Sequence, residues 1–265
     1  MTNEWTAVVC GGTAGIGLAC AEALLAAGAV SVVINGRDIE RAERARIQLL
    51  ERYPHAQVHT VIGDASRPDM AARVMQAAAD AMGRIDVLVT AAGGSPIVDF
   101  ATVSPRFHEG VLALNLQGPI HFAQAIHRHM MANDEGGALV NLTSIAALRP
   151  APQTSCYAAA RAGILGLTKS LAMEWAPHIR VNAIVAGMVD WGDDGTPYGG
   201  AGARQAISEA LPGKRMGAPA DVAMAALYLA SPMASYISGT TLELHGGGEP
   251  PLFLDIVKRH SAIRA

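Results

Sequence analysis

A short apolar run, Thr6-Ala7-Val8-Val9-Cys10, passes without a break into Gly11-Gly12-Thr13-Ala14-Gly15-Ile16-Gly17 and then into an Ala/Leu-rich segment reaching about Ala27. Read as strand, glycine turn and helix, this order narrows the possible folds more than any other feature of the chain. Glycine has no Cβ to hold a ligand away from the backbone. The first N–H groups of a helix are unsatisfied and electropositive, so such a turn suits a phosphate. A strand that feeds a helix in this way opens a βαβ unit, and units of that kind build parallel sheets covered on both faces.

The alternation continues. Residues 30–35, 57–62, 85–89, 138–142, 179–184 and 240–244 read as further strands. Helical patterns fill 39–53, a segment ending at Met82, 104–132, the segment carrying Tyr157, a short piece at 203–211, and 219–231. The long pattern at 104–132 is expected to break near Gly118-Pro119, where proline lacks its N–H and fixes φ. Hydrophobic residues make up 51% of the chain but aromatics only 5%, with 28 glycines, so the core must be assembled from small and aliphatic side chains. Helices lying closely on a sheet suit that composition. No repeat, low-complexity tract or linker interrupts residues 1–265. The expected fold is a single α/β domain, a doubly wound parallel sheet in three αβα layers.

Polar residues at the strand ends mark the chemistry. Strand five ends in Thr143-Ser144, and a loop leads to a helix with Tyr157 and Arg161 one turn apart on one face. A serine hydroxyl, a tyrosine and a cation so spaced form a plausible acid–base group. Strand two delivers Gly36-Arg37-Asp38 where a dinucleotide fold presents its adenosine ribose, a place often held by an acidic residue. A guanidinium there suits a 2′-phosphate, which favours NADP(H) over NAD(H). Arg37 as a solvated loop cation is the alternative, as is Asp38 as a ribose ligand. Asp64 after strand three either accepts from an adenine amino group, caps the next helix with Ser66, or does both. Thr90-Ala91-Ala92-Gly93-Gly94, after strand four, is small enough for a flat ligand to approach. Asn115, on an apolar stretch, needs buried partners and is either a cap for irregular backbone or part of a water-mediated proton path. The glycine-rich segment at 188–212, with Met188, Trp191 and Tyr198, is expected to be a lid over a partly apolar pocket, or otherwise a surface loop. Asp193-Asp194 argue against an anionic substrate. The tail at 248–265 has an amphipathic stretch that suits a neighbouring subunit or a loosely ordered end.

Other function classes find little support. A net charge of −3 and pI near 6.3, with scattered basic residues, give no footprint for nucleic acid. No apolar run reaches the roughly 18 residues that span a bilayer, and Met1-Thr2-Asn3-Glu4-Trp5 lacks the character of a signal peptide, so a cytoplasmic protein is expected. Cys10, Cys20 and Cys156 have no paired spacing. His121, His127 and His129 lack accompanying ligands, so no metal site is expected.

Together these motifs resemble the short-chain dehydrogenase/reductase family over nearly the whole chain. Gly11-x-x-x-Gly15-Ile16-Gly17 matches its cofactor turn, Asp64 its adenine contact, and Asn115, Ser144 and Tyr157 three members of its catalytic tetrad. The resemblance implies a Rossmann-type fold and hydride transfer between a nicotinamide cofactor and a carbonyl/alcohol substrate. It further implies cofactor contacts from Gly11, Thr13, Gly15, Ile16, Gly17, Arg37, Asp64, Ala92, Gly93, Tyr157, Arg161, Gly187 and Val189, and a homotetramer or dimer. Three departures stand out. Tyr-x-x-x-Lys is here Tyr157-Ala158-Ala159-Ala160-Arg161, Asn-Asn-Ala-Gly is Thr90-Ala91-Ala92-Gly93, and the threonine of Pro-Gly-x-x-x-Thr is Trp191.

In the implied mechanism Tyr157 exchanges a proton with the substrate oxygen, Ser144 orients that oxygen, and the cation clamps the ribose and stabilises the phenolate. A charge about 5 Å away at an effective dielectric near 20 supplies roughly 3 kcal/mol whether it is arginine or lysine. Proton relay differs, because a guanidinium does not deprotonate. The expectation is a working, slow reductase with Arg161 as ribose clamp and electrostatic aid. The rival is an NADP(H)-binding protein without turnover, acting as a sensor or oligomer partner.

Overall fold

Neighbouring residues on the first strand enter opposite cores. On β1 (Thr6–Cys10) Ala7 and Val9 join one buried cluster, and Val8 and Cys10 join the other. A strand buried on both faces in this way needs a helical layer on each side. One layer is α1 (Gly15–Ala26), α2 (Ile39–Arg52) and α8 (Pro219–Ala230), which contribute Leu24, Leu49, Ala226 and Leu229. The other includes α3 (Pro68–Met82) and α5 (Gly118–Met131), with Val74, Met75, Phe122, Ile126 and Met130. The computed structural model describes residues 5–192 and 198–260. The expectations placed on Met1–Glu4, Asp193-Asp194 and the last five residues of the tail lie outside them.

Between the layers runs a parallel sheet of seven strands in the order β3-β2-β1-β4-β5-β6-β7. The remaining strands are β2 (Ser31–Gly36), β3 (Gln57–Ile62), β4 (Val87–Thr90), β5 (Gly137–Ser144), β6 (Ile179–Ala186) and β7 (Thr241–Leu244). The chain winds outward from β1 to β3 and then returns across β1 to β4, so the order reverses between β1 and β4. Loops there diverge to opposite faces and leave a crevice beyond the strand ends. Gly11, at φ +78, makes that junction possible, because a Cβ on it would lie 2.6 Å from the Ala92 nitrogen.

The break expected near Gly118-Pro119 falls one turn earlier. Helix α4 (Pro105–Leu112) gives way to a π-helical turn over Ala113–Gln117, and α5 begins directly at Gly118. Asn115, fully buried, sits inside this turn. Its Nδ2 donates to the Val111 carbonyl one turn back along the helix at 2.9 Å. The turn abuts Gly118-Pro119, where proline offers no N–H to the turn before it. After β6 follow α7 (Ala201–Ala210), α8, β7 and α9 (Leu252–His260).

Candidate active site

Helix α6 (Ser155–Glu174) lies against β5 and β6 and against the short turn Ile145–Ala147 that follows Ser144. Tyr157 and Arg161 thereby face the carboxyl end of β5. The Arg161 guanidinium carbon stands 5.1 Å from the centroid of the Tyr157 ring. Arg161 itself is 5% exposed, and its Nη1 donates to the Leu142 carbonyl at 3.0 Å while Nη2 donates to the Ala92 carbonyl at 3.5 Å. The cation therefore bridges the last carbonyls of β5 and the loop after β4. Its Nε is sealed from solvent and has no hydrogen-bond partner among the described residues. The family resemblance implied a ribose clamp, whereas here the Nη groups are engaged by main chain.

Gly93 completes this corner. A Cβ there would fall 1.6 Å from Arg161 Nη2 and 2.8 Å from Asn115 Oδ1, so guanidinium and loop touch only because the side chain is missing. Asn115 holds the same loop from the other side. Its Oδ1 accepts from the Gly94 N–H at 2.8 Å and its Nδ2 donates to the Gly94 carbonyl at 2.9 Å. Ser144 is half-buried at the strand end, and its Oγ accepts from the Ala146 N–H at 3.3 Å, which leaves the hydroxyl proton available. Thr143 Oγ1 donates to the Arg161 carbonyl at 3.0 Å and ties strand to helix.

Beneath the site lies a polar tier that the sequence reading passed over. Thr90 Oγ1 donates to Asn141 Oδ1 at 2.8 Å, and Asn141 Nδ2 donates to Thr168 Oγ1 at 3.1 Å, joining β4, β5 and α6. The signal was present as a polar residue in each of two apolar strands. Buried groups of this kind need partners, and these supply one another.

The glycine turn forms a second region. Helix α1 starts at Gly15 with no capping side chain and no acidic residue in its first turn, so its leading N–H groups lack a local acceptor. Gly17 fits under the turn because a Cβ would lie 2.0 Å from the Gly11 carbonyl oxygen. Thr13 is packed over Gly36, where a Cβ would meet its Oγ1 at 2.4 Å. From here a groove of about 890 Å3 runs past Gly11, Thr13, Gly36, Arg37, Arg41 and Gly63. This cradle has the space and the donors for a nucleotide phosphate. Arg37 is exposed and makes no ion pair among the described residues. Asp38 instead caps α2, accepting from the Arg41 N–H at 2.9 Å, and that backbone hydrogen bond holds its carboxyl below the usual range. Arg41 reaches the same groove, a residue missed in the sequence although it follows Arg37 by one helical turn. Asp64 Oδ1 accepts from the Ser66 N–H at 3.0 Å, closing a turn before α3, whose N-cap is Arg67 rather than Ser66.

At the far side Gly187 packs on His245, where a Cβ would lie 2.7 Å from the histidine Cβ. Val189 is buried in the core, and its main chain bridges to Gly217. Trp191 and Tyr198 form an edge-on pair with centroids 6.4 Å apart. Arg37 and Asp64 thus stand at one end of the crevice and Ser144, Tyr157, Arg161 and Asn115 at the other. Among the described residues no cluster of His, Cys, Asp and Glu is placed to hold a metal ion, and no helix is long and apolar enough to cross a membrane.

Comparison with known proteins agrees on one group. The family described as Enoyl-(Acyl carrier protein) reductase matches residues 11–249. The 3beta-hydroxysteroid dehydrogenase 1 of Eggerthella lenta is 34% identical over 247 residues, spanning 91% of this chain and 92% of that protein. The 3-oxoacyl-(acyl-carrier-protein) reductase FabG of Chlamydia muridarum is 35% identical over 242 residues, spanning 91% and 96%. A solved short-chain type dehydrogenase/reductase from Mycobacterium ulcerans superposes with a TM-score of 0.85 at 27% identity, covering 97% of this chain and 94% of that one.

Proposed function

Since the chain belongs to the short-chain dehydrogenase/reductase family of oxidoreductases, we propose that it transfers a hydride between NADP(H) and a carbonyl/alcohol pair, with Tyr157 as the acid–base group. The observation that carries this reading is the stacking of Arg161 on Tyr157 at 5.1 Å beside the Ser144 strand end, which places a phenol, a hydroxyl and a fixed positive charge together. When bound, the nicotinamide supplies or accepts the hydride. In the reducing direction Tyr157 gives its proton to the substrate oxygen and is reprotonated from solvent, while the Ser144 hydroxyl donates to the same oxygen and orients it. Arg161 acts through its field on the phenolate, since its Nη groups are engaged by carbonyls and it cannot release a proton. Gly11, Thr13, Gly15, Ile16 and Gly17 hold the pyrophosphate, Ala92, Gly93, Gly187 and Val189 the nicotinamide side, and Asp64 the adenine.

NADP(H) is favoured over NAD(H) because Arg37 and Arg41 line the groove beside Gly36, while of the two carboxylates there Asp38 caps α2 and Glu40 pairs with Arg44. Exposed Leu252, Phe253, Ile256 and Val257 on α9 support a homo-oligomer, and a cytoplasmic setting is part of the same proposal. The test pairs kinetics with binding. Against a panel of ketones, quinones and β-keto esters, Tyr157→Phe is expected to lower kcat by 100-fold or more, on the order of general acid catalysis, with NADPH affinity unchanged. A wild type that binds NADPH and turns over nothing would instead point to a binding protein. Equal wild-type affinities for NADPH and NADH, or an Arg37→Ala variant that leaves their ratio unaltered, would remove the NADP(H) preference.

A further inference from the structure

Three strands end level with one another at the carboxyl edge of the sheet. Ser144 is paired in register with Ala186, and Ala186 with Leu244. Adjacent strands lie about 4.8 Å apart, so the chain leaves β7 about 10 Å from Ser144, across the end of β6. There it turns back. Gly246, Gly247 and Gly248 take φ of +62, +98 and +84, a run of left-handed backbone that side chains rarely adopt, and the Gly248 N–H donates to the His245 carbonyl at 3.1 Å. The turn is packed on its surroundings, since a Cβ on Gly247 would lie 3.0 Å from the Pro212 Cβ. Directly after it Glu249 meets Arg149 in an ion pair between residues 100 positions apart. Arg149 belongs to the loop that leads from Ser144 to the helix carrying Tyr157. Its other side-chain hydrogen bond goes to the carbonyl of its own neighbour, Pro150, at 3.0 Å, and its Nε is sealed from solvent without a partner among the described residues. Glu249 is therefore the tie that holds this guanidinium from outside its own loop. At the far end of the loop the Val98 N–H donates to the Gln153 carbonyl at 3.0 Å. The loop is thus pinned near Tyr157 by the segment after β4 and near Ser144 by Glu249.

We propose that Glu249 is a positioning residue: through Arg149, the turn after β7 sets the loop between Ser144 and Tyr157, and with it the mutual placing of the two groups that act on the substrate oxygen. The inference rests on the reading of Tyr157 as the acid–base group and Ser144 as its partner. The two side chains of the pair are 36% and 34% exposed, so the clasp biases the loop rather than locking it. An ion pair of that exposure shifts an equilibrium by about two- to fivefold. The shift reaches the rate because reacting groups held slightly out of place react more slowly. Neither Arg149 nor Glu249 lines the groove proposed for the nucleotide, so the effect falls on turnover and not on cofactor affinity.

Amide hydrogen exchange and kinetics on the full chain test it together. In Glu249→Gln the amides of residues 145–154 are expected to exchange about two- to fivefold faster than in the wild type. For a ketone from the panel above, kcat is expected to fall by a similar factor with NADPH affinity unchanged. Arg149→Glu should lose at least as much, and Arg149→Glu combined with Glu249→Arg should recover most of both losses, a rescue that the loss of a merely structural group would not allow. Added salt should narrow the gap between wild type and Glu249→Gln, because a part-exposed ion pair is screened. Unchanged exchange and unchanged kcat in Glu249→Gln would overturn the clasp. Faster exchange with kcat unchanged would overturn the positioning role. A wild type that turns over no carbonyl compound would remove the reductase reading and this role with it, and the exchange measurement distinguishes that failure from failure of the clasp itself.

Discussion

At the scale of single residues, Gly93 and Arg161 are best understood as one unit. Arginine is longer than the lysine of the family motif, and its guanidinium reaches the Leu142 and Ala92 carbonyls only by occupying the space a side chain at position 93 would fill. Gly93→Ala is therefore expected to destabilise the chain by about 1–3 kcal/mol through overcrowding. In an Arg161→Lys background the same change should be milder, because the shorter amine vacates that space. A double-mutant cycle on thermal unfolding measures the coupling, and additive effects would show that the two positions do not compete. The small residues after β4 were legible in the sequence as room for a flat ligand. Their second role, making room for a cation from the same chain, was not, since Gly93 and Arg161 are far apart along the chain and meet only through the β4–β5 pairing.

Helix α8 shows what a single element contributes to the site. Its first turn presents Asp221, whose Oδ2 accepts from the Ala218 N–H at 2.7 Å and whose carboxylate pairs with Arg215 at 2.5 Å. The adjoining Gly217 exchanges hydrogen bonds with Met188 and Asp190, at 2.8 Å each, so the cap secures the main chain around Val189. The Arg215 guanidinium, and then the Ala218 N–H, hold the Asp221 carboxyl below the usual range. A carboxyl depressed on folding stabilises above its unfolded value of about 4 and loses that contribution as pH falls through the folded value. Asp221→Ala is expected to lower Tm at pH 7 by about 2–4 °C, corresponding to roughly 1 kcal/mol, mostly from the cap because the ion pair is solvent-screened. The gap between wild type and variant should narrow below pH 4. A gap that persists at pH 3 would mean the loss has another origin. The helix and its acidic first turn were evident in the sequence. The irregular turn at Ala113–Gln117 abuts the Gly118-Pro119 pair that announced it, whereas the partner Asn115 finds on the loop after β4 was not legible along the chain.

Across the whole molecule, two buried clusters clamp the sheet, and the cysteines report on them. Cys10 on β1 and Cys20 on α1 lie in opposite clusters, and burial pushes both thiols up to about 12. Cys156 is raised less, by partial burial near His108. In native buffer at neutral pH a thiol reagent is expected to modify Cys156 slowly and Cys10 and Cys20 only as fast as the domain unfolds, read by mass spectrometry across a denaturant series. Labelling of Cys10 or Cys20 at the rate of Cys156 would show that one cluster opens on its own.

What the sequence determined by itself was whatever local sterics and burial decide. A strand buried on both faces shows as a continuous apolar run, a tight strand-to-helix turn as glycines between the two, and the proximity of Tyr157 and Arg161 as their spacing of one helical turn. Those patterns carried the seven strands and the doubly wound parallel sheet. The tertiary structure alone decided where long side chains end. Arg161 turns to two main-chain carbonyls, Trp191 settles over Gly15, and Thr90, Asn141 and Thr168 satisfy one another, because each depends on neighbours that only the order of the strands brings within reach.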